Sequence, residues 1–161
     1  MFLVGQISGN SIVSHGTCII SPQTNVLFPL INGFEIDCQS LNQNPSHANV
    51  CTFGQHTPVL GQPFGPLRSL ASVGGATNLA ATLDGIRLQS VRVQSPPGGF
   101  EVLVAVNNIF GANIGPVTLH GVADGFWVLL PSLPLGLHAL TFGGCLPKVG
   151  CQTNIYTVFV R

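Results

Sequence analysis

Five histidines, five cysteines and five carboxylates are the residues of this 161-residue chain with the means to do chemistry. His47, Cys51 and His56 fall within ten residues of one another, and zinc takes such ligands. No Cys-x-x-Cys or His-x-His pair accompanies them, so loop polarity explains them more simply. His15, His120 and His138 lie on or beside apolar, strand-like runs. Converging in the mouth of a sandwich they would make a cupin-like, metal-dependent enzyme. Their spacing does not bring them together, and a hydrogen-bonded structural role suits each. They are weak metal candidates; no metal and no cofactor are expected.

The carboxylates divide by context. Glu35 and Asp37 flank a long irregular stretch, Asp84-Gly85 and Asp124-Gly125 look like turns, and Glu101 opens the apolar run Glu101–Val106 as a solvated strand end. Calcium would need a spaced acidic loop, which is missing. Arg92, between two valines, is the charge expected to be buried. Its expected partner is Glu35, Asp37 or Asp124, because a buried ion needs a counter-ion. The functional reading of the same group is a polar ligand site containing Arg92, Asp124 and Glu35. Phe126, Trp127 and Tyr156 would serve a sugar as a stacking platform if exposed, whereas strand aromatics in a core are the commoner case. No Gly-x-Ser-x-Gly elbow, phosphate loop or dinucleotide fingerprint occurs, and no catalytic residue is assigned.

The cysteines speak to compartment. Cys38 and Cys51 enclose an Asn-rich loop, and Cys145 and Cys151 bracket "LPKVG". Both spacings suit loop-closing disulfides, which point to an oxidising, extracellular environment. Cys18 is left unpaired. "MFLVGQISGN" has neither the basic start nor the long apolar run of a signal peptide, so an exported chain is expected to be the mature or a truncated form. No glycosylation sequon occurs.

Charged residues make up 6% of the chain, against about 25% in typical soluble domains. Five basic and five acidic side chains leave zero net charge. No basic patch is available to neutralise nucleic-acid phosphates or anionic lipid. Little long-range repulsion separates copies, which favours close self-association.

These residues need elements to position them. Residues 1–34 hold short apolar runs broken by turn formers, "MFLVGQI", "SIVSHGTCII" and "NVLFPLI"; residues 35–77 show no period; residues 78–161 return to strand-like runs. Asp84-Gly85 between alternating apolar residues predicts a type I′ hairpin. "ADGFWVLLPSLPLGLHALTFGG" (123–144) is too interrupted to span a bilayer, because a spanning helix needs about 20 apolar residues and prolines break it. It reads as strands 125–130 and 136–142 around a Pro-rich link, with Leu129 and Leu130 making the first strand buried on both faces. Nine or ten strands and no helical period predict a single all-β domain over 1–161. The expected architecture is an antiparallel two-sheet β-sandwich or jelly roll with a long irregular insert at about 35–77.

"LDGIRLQSVRVQSP" (83–96), "VADGFWVLLPSLPLGLHALTFGG" (122–144), "IYTVFV" (155–160) and "FLVGQISGNSIVSHGTCIISPQTNVLFPLIN" (2–32) resemble an uncharacterised family of secreted bacterial β-sandwich proteins. The resemblance covers most of the chain outside 39–77. It implies export and a β-sandwich but no activity. Members of that group carry further residues upstream, including a cysteine, which would account for the odd Cys18. The functional expectation is a secreted, non-catalytic structural or interaction module that assembles with itself as an oligomer or polymer. The alternative is an extracellular domain binding glycans or another neutral ligand. Neither nucleic acid nor a membrane span is expected.

Overall fold

A computed structural model of the chain describes residues 1, 12–36, 64–105, 116–147 and 149–161. The expected strand in "MFLVGQI", the Cys38–Cys51 bridge, Asp37, and the His47/Cys51/His56 group lie outside the described residues. The elements are β1 (Ile12–Ile20), β2 (Val26–Ile36), helix α1 (Gly65–Ala71), β3 (Thr77–Leu83), β4 (Ile86–Arg87), β5 (Val91–Gln94), β6 (Phe100–Val104), β7 (Val117–Leu130), β8 (Gly136–Leu146) and β9 (Gly150–Val160). Five strands form one sheet in the order β1-β9-β8-β3-β4. A second sheet runs β2-β7-β5, with β6 also paired to β7. The two sheets pack on each other, and the chain is an all-β sandwich.

Contacts divide the chain into two compact units, with boundaries inside β2, β5 and β7. The first, residues 1–32, 73–93 and 125–161, holds the whole five-stranded sheet and the sandwich core. Alternation builds that core. On β1, Cys18 and Ile20 are buried and Ile19 between them is exposed; on β9, Val158 and Val160 are buried around exposed Phe159. Phe142 of β8 meets Phe28 of β2 at 4.5 Å between ring centroids, so one aromatic pair ties sheet to sheet. Tyr156 stacks on Phe142 at 5.8 Å and covers Gly16, where a Cβ would stand 2.5 Å from its ring. Asn154 is buried among these side chains but satisfied: Ser14 Oγ donates to its Oδ1 at 2.6 Å, and its Nδ2 donates to the Phe142 carbonyl at 3.5 Å.

Asp84 and Gly85 have φ of 51° and 81°, as a type I′ turn requires. Cys145 and Cys151 pair directly across β8 and β9 and form the expected disulfide. Cys18 is a free, buried thiol, and burial pushes its pKa up, which disfavours the reactive thiolate.

Four local expectations are corrected. The sheets are not purely antiparallel: β1 runs parallel to β9 over nine register positions, Ile12↔Gln152 to Ile20↔Val160. Parallel neighbours need a long crossover, and here the rest of the chain is that crossover. The first strand of the 123–144 segment is not buried on both faces. Leu129 is 65% exposed between buried Val128 and Leu130, so the strand alternates. Asp124-Gly125 is no turn, because β7 passes straight through it. Gly125 is there for space: a Cβ would stand 2.5 Å from Trp127 Nε1. Finally, part of the irregular stretch is helical. α1 is seven residues long with a proline in its first turn, and it buries Leu67 and Ala71 four positions apart. Phe64 at its start supplies no side-chain cap, and two turns are too few to show a period, so the sequence carried no signal for it.

The second unit, residues 33–72 and 94–124, contains α1, β6 and the first part of β7. Leu67 and Ala71 pack with Val122, and Phe34 stacks on Phe100 at 5.8 Å. Gly33 allows the close approach of α1, since a Cβ would lie 2.1 Å from the Ala71 carbonyl oxygen. Arg68 donates to the carbonyls of Ser95 and Pro96 and fixes the end of the helix to the segment after β5.

Candidate functional surface

The expectation that Arg92 is the buried charge is not met. Arg92 is exposed rather than buried, because β5 lies at the edge of its sheet with every residue open. Its guanidinium stands 5.9 Å from the centre of the Phe126 ring, at cation–π range. Asp124 is buried and accepts a hydrogen bond from Gln94 Nε2 at 3.3 Å; Glu35 is half-buried.

The three aromatics do not make one platform either. Phe126 and Trp127 are consecutive strand residues and face opposite sides. Phe126 and Tyr156 pack against the core, while half-buried Trp127 folds over Gly125. Among the described residues no three His, Cys, Asp or Glu side chains gather closely enough to hold a metal ion, and His15, His120 and His138 form no such group. His120 packs its ring against Phe64 at 5.9 Å, and His15 is exposed on β1.

His138 has a defined task. Its Nδ1 donates to Asp84 Oδ2 at 2.7 Å and its Nε2 to the Pro134 carbonyl at 3.0 Å. Asp84 Oδ1 also accepts the Ala139 N–H at 2.8 Å. Both ring nitrogens face acceptors, so the imidazolium satisfies the site and no lone pair remains to act as a base. This dyad is a latch between the β3–β4 turn and β8. The hydrogen bond that Asp84 accepts raises the His138 pKa, with help from the Pro134 carbonyl; the same bond, with that from the Ala139 N–H, lowers the Asp84 pKa. The His138 contribution is complete below about pH 6.5 and lost as pH rises through its raised folded value. The Asp84 contribution is complete above about pH 4 and lost as pH falls through its lowered folded value. Wild type is therefore expected to exceed Asp84→Asn in melting temperature most between about pH 4 and 6.5, with the gap narrowing on either side. Asparagine tolerates the positive φ at 84, so the turn survives the substitution. A gap that does not vary from pH 3 to 9 would remove the latch.

What the fold does display is the outer face of the five-stranded sheet. Cross-strand register sets its side chains in four rows. Ile19, Phe159 and Leu137 are adjacent on β1, β9 and β8, at 56%, 41% and 63% exposure. Thr17, Thr157 and Ala139 form the next row. Then come His15, Ile155, Thr141, Thr82 and Arg87, and finally Val13, Thr153, Gly143 and Ala80. These rows carry no acidic side chain, and His15 and Arg87 are their only ionisable groups. Two hollows mark the face. One of about 220 Å³ lies between His15, Thr17, Ile155 and Thr157. The other, about 280 Å³, opens over Gly143 and is rimmed by Ala80, Thr82, Thr141, Thr153 and the Cys145–Cys151 disulfide.

Sequence reasoning missed this face, although its alternation was present. Val13, Ile19, Phe159 and Leu137 sit at the positions opposite the buried set in their strands. Comparison with known protein families, with curated proteins and with solved structures finds no match to this chain.

Proposed function

We propose that the protein is an extracellular, non-catalytic interaction module that assembles with copies of itself. The observation that supports this best is the ordered outer sheet face, which exposes large aliphatic and aromatic side chains and threonines on a chain with zero net charge. Contiguous exposed apolar surface of this kind marks contact sites. A neutral chain sets no long-range repulsion against its own approach.

The intramolecular disulfide is compatible with an oxidising environment, and among the described residues no helix is long and apolar enough to cross a membrane. Among the described histidines, His138 is committed to the latch on both ring nitrogens, which favours contact over catalysis at that position.

Sedimentation velocity across a concentration series tests the reading. A concentration-dependent shift from monomer to a larger species is expected, and a strict monomer at the highest soluble concentration would end it.

A further inference from the structure

We infer that the outer face of the five-stranded sheet is an isologous dimer contact, in which Leu137 of each copy enters the hollow over Gly143 of the other. This rests on the self-assembly reading above and names the surface and the partner.

The face is self-complementary along its strands. Its largest exposed apolar side chains, Ile19, Phe159 and Leu137, occupy one end row. Its larger hollow occupies the other end, over Gly143. Leu137 and Gly143 lie on the same strand, β8, at opposite ends of the pattern and at positions of the same face, six residues apart. A two-fold axis lying in the interface and running across the strands sets β8 over β8 of the copy and inverts the rows. The projecting row of each molecule then lies over the hollow row of the other, with Leu137 above Gly143, Phe159 above Thr153 and Ile19 above Val13. A two-fold contact uses one patch on both subunits, so the arrangement closes as a dimer. Two sheet faces of this kind pack about 10 Å apart with interdigitating side chains.

Charge and area agree with a copy as the occupant. Superposing a like-charged face on itself would be repulsive. Here the rows contain only His15, on the edge strand β1, and Arg87 at the opposite margin, and both Arg87 and Arg161, which follows β9, can remain in solvent. Strands β1, β9, β8 and β3, of nine, eleven, eleven and seven residues at ~3.3 Å per residue and ~4.8 Å apart, give a face of roughly 600 Å². Roughly 1,200 Å² buried in total reaches the ~1,200 Å² at which specific interfaces begin. Threonines between the apolar anchors supply hydroxyls to pair across the contact.

Three variants and the wild type test this by sedimentation equilibrium, with melting temperature as the fold control. Leu137→Lys removes the projecting group, and Ala80→Trp fills the hollow from its rim without touching Leu137. Each is expected to raise the dimer dissociation constant at least ~30-fold, the scale of a central anchor residue. Leu129→Lys changes an equally exposed leucine on the other sheet and is expected to leave dimerisation unchanged. Should one face variant fail to fold, the other carries the test alone, since each perturbs a different half of the same contact. A wild-type chain that stays monomeric overturns the self-assembly reading and this contact with it. A chain that assembles but is insensitive to both face variants, or is disrupted by Leu129→Lys instead, overturns this contact only.

Discussion

Phe142→Ala is expected to cost about 3–5 kcal/mol of folding stability, the range for truncating a buried phenylalanine. Phe142 is 1% exposed and holds three parts of the core together. It packs on Phe28 from the opposite sheet, stacks on Tyr156 of β9, and its backbone carbonyl accepts from buried Asn154. Truncation leaves a cavity that two sheets clamped by the other core residues cannot close. Urea unfolding with the disulfide intact measures the loss. Combining Phe142→Ala with Phe28→Ala should cost less than the two single changes added, by about 0.5–1.5 kcal/mol, because the ring pair is lost only once. Leu129→Ala, on an exposed position, should stay within about 0.5 kcal/mol of wild type. A loss at Phe142 no larger than that at Leu129 would deny that this pair joins the sheets.

Gly143→Ala is expected to be nearly as damaging, at about 3 kcal/mol or more, although it adds one methyl group. The added carbon would lie 2.0 Å from the Gln152 carbonyl oxygen and 3.0 Å from the Thr153 Cα. Both are backbone atoms of β9, so no side chain can swing aside. Relief requires β8 and β9 to separate at Gly143↔Thr153, next to the disulfide pair Cys145↔Cys151. Gly98→Ala is the control, because nothing lies within 4 Å of a Cβ there. Equal melting temperatures for the two alanine variants would show that β8 and β9 are not held this closely. The same absent side chain keeps the larger hollow open, so one glycine serves both strand pairing and the shape of the outer face.

Local chemistry was legible along the chain. Asp84-Gly85 dictates a type I′ hairpin because only residues tolerant of positive φ make that turn, and Asp84 and Gly85 adopt it. Cys145 and Cys151, six residues apart, forecast a bridge across a tight turn. Pro131 and Pro134 ruled out a helix through the most apolar segment and left two strands. Asp124-Gly125 carries the same dipeptide as the hairpin and yet lies in mid-strand, because its glycine makes room for Trp127 instead of supplying a turn. A dipeptide reports what the backbone can do, and its surroundings select among the options.

Residue types along the chain were enough for the strand-rich class, the turn at Asp84, the disulfide at Cys145 and Cys151, and a surface poor in ions. Each of these follows from residue types within a few positions of one another. It took the folded chain to show that β1 lies parallel beside β9, that Arg92 stands open at a sheet edge, and that Leu137, Phe159 and Ile19 form one row. Those facts depend on strands distant in sequence, β1 and β9 by more than a hundred positions, and register between distant strands is set by how the buried faces fit, a quantity that no local window of sequence contains.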